Sequence, residues 1–205
     1  MGATEDSGLR VGVYPGSFNP PTIAHLAIAE EALRVGGLDR VDLVVSRSPL
    51  GKPAVTVPSL EDRIEVLRRV AANRRHLGVR LTSDQLLADI AAGAAAVVLG
   101  ADKWAQVVDP VWYGGSRVAR DEAAARLPLA LVAPRPPFPQ PAPVPERVQP
   151  LSISDELFEV SSTAVRAGRR EWMAAEAAEF DERTGAWSDP QRYRSASQHR
   201  RCAEG

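Results

Sequence analysis

A doubly wound α/β fold, with a parallel sheet of five to six strands and flanking helices, is what the sequence predicts. Short apolar runs alternate with stretches of helical periodicity along most of the chain, as strands joined by crossover helices do. The run AAVVLG at 95–100 is continuously apolar, the mark of a strand buried on both faces. The third observation is size: 205 residues, 44% of them hydrophobic, suit a single core, because a chain of this length buries roughly 70% of its unfolded surface.

The elements follow in order. Residues 10–14 (RVGVY) read as the first strand and 15–21 (PGSFNPP) as a loop, with Thr22 as N-cap of a helix over 25–35 that ends at Gly36 and Gly37. VDLVV at 41–45 is the second strand. Ser59 opens a helix in which Ile64, Leu67 and Val70 fall at helical spacing. A strand at 78–81 and a helix through Leu86, Leu87 and Ile90 precede the central run at 95–100. A helix at 118–126 leads to LALVA at 129–133, and a last short strand lies near 147–151. The order is that of a Rossmann-like single domain.

Prolines at 134, 136, 137, 139, 141, 143, 145 and 150 exclude helix and central strand between them. Each fixes φ and removes a donor, so 134–147 reads as a stiff connecting loop. Residues 188–205 read as a polar, frayed tail.

Composition narrows the function. The 25 basic and 26 acidic side chains nearly cancel, which argues against a nucleic-acid binder with a strongly basic face. A single cysteine, Cys202, excludes an internal disulfide and a cysteine-rich zinc site. The opening MGATEDSGLR carries no apolar signal core, and nothing approaches the ~18 apolar residues of a membrane span. A cytoplasmic enzyme acting on small anions is the expectation, with no membrane and no nucleic acid among its partners.

The loop between the first strand and helix is the most informative passage. Gly16 lets backbone approach a ligand, and His25 falls in the first helical turn, where unpaired N–H groups and the positive dipole end favour an anion. The residues VYPGSFNPPTIAH carry Gly16, Phe18, Asn19, Pro20, Thr22 and His25 at the spacing of a G-x-F-[DN]-P loop followed by (H/T)-x-x-H. This resembles the signature of the nucleotidyltransferase superfamily that includes the nicotinate and nicotinamide mononucleotide adenylyltransferases and the phosphopantetheine adenylyltransferases. A second passage, Val160-Ser161-Ser162-Thr163-Ala164-Val165-Arg166, is similar to that superfamily's I-S-S-T-x-[IV]-R segment, with Val160 in place of the usual Ile.

The resemblance covers about residues 10–170. It implies a flexible N-terminus at 1–9, a nucleotidyltransferase domain at 10–170 and a C-terminal helix and polar tail at 171–205. It implies ATP and a mononucleotide-like phosphate acceptor as substrates, with Mg²⁺ riding mainly on the ATP phosphates and no protein metal site. His25, Thr22, Lys52 and Arg166 become catalytic candidates. Gly16, Ser17, Phe18, Ser161, Ser162 and Thr163 become the phosphate-binding set. Gly100 and Asp102 are placed at the ribose, and Arg135 at the acceptor side. Trp112 is the candidate to stack on a pyridine ring, preferred over Trp104 because DPVWYGGS reads as a loop.

AMP transfer to nicotinate or nicotinamide mononucleotide is the activity so implied. Transfer to phosphopantetheine is its nearest rival, and a non-catalytic nucleotide-binding module is the third reading. The acceptor, the oligomeric state (a homo-oligomer is left open) and the roles of the proline-rich loop and of 171–205 are not fixed by the sequence.

Overall fold

The computed structural model describes residues 8–47 and 55–195. Six parallel strands form one sheet in the order β3-β2-β1-β4-β5-β6. They are β1 Val11–Pro15, β2 Arg40–Ser46, β3 Leu77–Thr82, β4 Ala96–Gly100, β5 Leu129–Ala133 and β6 Val148–Pro150. The helices are α1 Ile23–Gly36, α2 Leu60–Ala72, α3 Leu87–Ile90, α4 Ala101–Val108, α5 Arg117–Ala125, α6 Ser162–Arg166 and α7 Ala175–Thr184. Strand order reverses between β1 and β4, and in such sheets ligands bind beyond the carboxyl ends of the strands at that reversal.

Alternation along the strands explains why both faces are covered. Tyr14, Leu43, Val45 and Val98 face a core shared with Ala29, Leu67 and Phe180 from α1, α2 and α7. Val13, Val44, Val97, Leu99 and Val132 face the other way, toward Ile90 and the partly buried Trp104. Burial of such strands on both sides is what the continuous apolar runs encode. α1 stops where Gly37 enters the left-handed region at φ 55 and donates its N–H to Leu33, the usual helix-ending geometry.

Two features depart from the expected outline. The helix after β4 begins at once, so Ala101 and Asp102 form its first turn and Gly100 its cap. The tail read as frayed from 188 is packed as far as residue 195. Phe180, Trp187 and Tyr193 are buried against the α1–α2 face. The Tyr193 hydroxyl donates to Asp62 and accepts from the Ser59 N–H at 2.9 Å, while Arg192 donates to the carbonyls of Glu182 and Arg183. Isolated aromatics in a polar stretch are what a periodicity reading passes over. The proline-rich loop turns tightly, with a bridge between Arg135 and Phe138, and Gln140 donates to the carbonyls of Val132 and Leu151 at 2.9 Å each. Among the described residues, no helix is long and apolar enough to cross a membrane.

Candidate active site

The loop leaving β1 is built to present backbone at the sheet's carboxyl edge. The Gly16 N–H continues the ladder by donating to Val44 at 2.9 Å. Phe18 then takes a φ of 43, in the left-handed region that side chains avoid. Burial holds it there. Its ring is 1% exposed, packs edge-on against Tyr14 and His25 at 5.5 and 5.1 Å, and lies where a Cβ on Gly16 would come within 2.9 Å. Phe18 therefore supports the loop from beneath, and what it turns outward is backbone, not ring. Arg63 of α2 is 5% exposed and donates to the Ser17 carbonyl at 2.9 Å, tying the loop to a second element. The sequence reading missed it, although Arg63 precedes Val66, Leu67 and Val70 at helical spacing and so belongs to the buried stripe.

Thr22 caps α1, and His25 completes a reciprocal capping box. The Thr22 N–H donates to His25 Nδ1 at 3.0 Å, and Thr22 Oγ1 lies 2.7 Å from the same nitrogen. A backbone N–H can only donate, so Nδ1 is the acceptor and the neutral ring carries its proton on Nε2. Thr22 is 0% exposed. It orients the imidazole, its hydroxyl lying against the ring nitrogen.

Burial, and then the positive charge of Arg135, lower the His25 pKa to about 4. The unfolded value is near 6.5, so as pH falls from 6.5 toward 4 the unfolded chain takes up a proton that the folded chain refuses. This contribution to stability is complete above 6.5 and is lost as pH falls through that window. Thermal melts from pH 7 to 4 are expected to show a steeper loss for the wild type than for His25→Gln. Equal slopes would show that His25 is not held neutral by the fold.

The second segment meets the first. Ser161 caps α6 by accepting from the Ala164 N–H at 3.1 Å, Ser162 Oγ donates to the Pro20 carbonyl at 2.7 Å, and Arg166 donates to the Asn19 carbonyl and to Thr163 Oγ1. Two stretches nearly the length of the domain apart are thus stapled at the open edge of the sheet. Residues 13–168, most of the chain, match the family described as cytidylyltransferase-like.

The chain belongs to this family of nucleotidyltransferases.

A probable nicotinate-nucleotide adenylyltransferase of Salinibacter ruber is 28% identical over 181 residues, 79% of this chain and 86% of that protein. A phosphopantetheine adenylyltransferase of Desulforamulus reducens is 38% identical over 94 residues, 45% of this chain and 55% of that protein. The Plasmodium falciparum nicotinic acid mononucleotide adenylyltransferase complexed with NaAD superposes with a TM-score of 0.61 at 11% identity, covering 86% of this chain and 96% of that chain. At such identity the likeness is one of fold.

Around this nucleotidyltransferase loop the other candidates fall as follows. Asp102 folds back over Gly100, where a Cβ would meet its carboxylate at 2.5 Å and the Arg135 side chain at 3.8 Å. The ends of β4 and β5 are therefore adjacent. Burial raises the Tyr14 pKa, with Arg135 opposing and Asp102 adding to the shift, so all three share one electrostatic neighbourhood with His25. Arg135 donates to the Val160 carbonyl at 3.3 Å and borders an open cleft of about 800 Å³ lined also by Pro136, Asp155, Phe158 and Glu159. A separate hollow of about 350 Å³ beside α4 and α5 is lined by Trp104, Arg120 and Arg147 and contains none of the residues around His25. Trp112 stands 59% exposed on the short turn Pro110–Tyr113, which packs on α5. No ring contact or hydrogen bond joins it to the His25 cluster among the described residues. Lys52 lies outside the described residues.

Proposed function

We propose that the protein transfers AMP from ATP to the phosphate of nicotinate or nicotinamide mononucleotide, releasing pyrophosphate and forming a dinucleotide. The observation that supports the proposal is the pair of bonds from Ser162 to Pro20 and from Arg166 to Asn19, which set the two motif-bearing segments side by side. In the reaction an oxygen of the acceptor phosphate forms a bond to the α-phosphorus of ATP, and the bond from that phosphorus to the β-bridging oxygen breaks. The attacking phosphate is already an anion, so the protein's task is to position the reactants and stabilise charge.

The residues divide that task. The Nε2–H of His25, at the N-terminus of α1, donates to a phosphate oxygen, and Thr22 holds the ring for it. Backbone at Gly16, Ser17 and Phe18 lines one side of the triphosphate; Ser161, Ser162, Thr163 and Arg166 line the other, with Lys52 adding charge. Asp102, beside Gly100, accepts from ribose hydroxyls. Trp112 covers the pyridine ring, and Arg135 stands between the cluster and the cleft, whose size suits a nucleotide base. Among the described residues no group of three or more His, Cys, Asp or Glu side chains is placed to hold a metal. Mg²⁺ would instead ride on the ATP phosphates, where it keeps its waters and needs few protein ligands, and would neutralise charge on the triphosphate.

The S. ruber relative, matched over most of both chains, supports the mononucleotide as acceptor. The D. reducens relative supports phosphopantetheine as the second reading, over a shorter stretch. Purified protein incubated with ATP, Mg²⁺ and each acceptor separately is expected to release pyrophosphate with a pyridine mononucleotide. Release with phosphopantetheine alone would establish the second reading, and ATP binding without release on any acceptor would reduce the protein to a binding module.

A further inference from the structure

The residues that follow the family match at 13–168 do not trail away from the site; they are bolted to its loop. Thr22 and Met173 form an antiparallel bridge, and the Ala174 N–H donates to Pro21 at 3.1 Å. Further on, the indole Nε1–H of Trp187 donates to Asn19 Oδ1 at 2.6 Å, with the two side chains 3% and 7% exposed. Trp187 is itself fixed. Asp181 Oδ1 accepts from the Trp187 and Ser188 N–H groups at 2.6 and 2.9 Å, and the Phe180 ring lies 5.9 Å from the indole.

Asn19 is therefore a junction. Its carbonyl takes Arg166 from the second segment and its side chain takes Trp187 from the C-terminal segment. An indole N–H only donates, so it fixes which end of the buried amide faces it and turns the nitrogen end of Asn19 away. A buried acceptor deprived of its donor loses the full compensation for its desolvation, which gives this bond leverage over the loop's conformation.

We propose that residues 171–195 form a strap that holds the nucleotide loop in register, with Trp187 a positioning residue acting through Asn19. The proposal rests on the reading that the loop grips ATP. Trp187→Phe keeps an aromatic ring beside Phe180 and removes the N–H. Its expected effects are a roughly tenfold lower kcat, the size of about one lost buried bond, with KM for ATP changed less than kcat. Faster amide exchange at residues 16–19 is expected, with a melt that stays cooperative. In an Asn19→Ala background the same substitution is expected to add less than about a twofold effect, because contacting residues couple.

Unchanged kcat and unchanged loop exchange in Trp187→Phe would overturn the proposal, as would equal losses in both backgrounds. Should the variant fail to fold, wild-type exchange decides: the amides of Gly16 and Phe18 are expected to open together with those of Trp187 and Ser188 as one cooperative unit, and independent opening refutes the strap. If the wild type releases no pyrophosphate, the enzymatic reading fails while the exchange measurements still test the strap.

Discussion

His25→Ala is expected to lower turnover about 10²- to 10³-fold, the usual loss when a donor to developing charge is removed. The size follows from how completely the structure commits this side chain. Nδ1 is spent on the Thr22 N–H, so Nε2–H is the donor left to meet a phosphate. Low pKa keeps the ring neutral in the free protein; a polyphosphate bound beside it pulls the pKa up again, so the donor persists in either charge state. His25→Gln separates the two uses of the residue. Glutamine at this position of a capping box accepts from the cap N–H, so this variant is expected to melt near the wild type, while the alanine variant loses about 1 kcal/mol of capping. Both are expected to lose turnover. Steady-state pyrophosphate release and thermal melts check this together, and near-normal turnover in either variant would take His25 out of the mechanism.

Much of this arrangement is local and therefore readable from sequence. Thr22 and His25 are three positions apart on a helix start, and a capping box is a local motif. The apolar run of β4 announces a central strand because both of its faces must be dry. The meeting of the two segments is recognised only by matching separated motifs, since the bonds from Ser162 and Arg166 to the loop carbonyls span 142 and 147 residues. Residue chemistry alone would have left each segment an ordinary capped helix.

What escaped the sequence is non-local or disguised. Trp187 meets Asn19 across 168 residues, and Tyr193 meets Asp62 across 131, with nothing between to signal either pairing. Arg63 was hidden by its own chemistry: arginine is seldom buried without partners, so a basic residue on the apolar stripe of α2 reads as solvated. Here it serves the Ser17 carbonyl, and burial lowers its pKa.

Phe18→Ala is expected to produce the largest loss of stability among single substitutions at the site, about 3–5 kcal/mol for a fully buried aromatic. At roughly 2–4 °C per kcal/mol for a chain of this size, the melting temperature should fall by about 10 °C. Two costs add there. A cavity opens beneath Gly16, beside the rings of Tyr14 and His25 against which Phe18 packs. The left-handed backbone at Phe18 also loses the burial that offsets its strain. Because the ring supports the loop and His25 rests against it, turnover should fall with stability, and more than a remote core substitution of equal cost would cause. Leu67→Ala in α2 supplies that comparison, since Leu67 is equally buried in the same core. If both variants lose stability alike and keep turnover alike at a temperature where both remain folded, Phe18 is ordinary core. A selective loss in Phe18→Ala establishes the ring as the floor on which the nucleotide loop and its histidine are set.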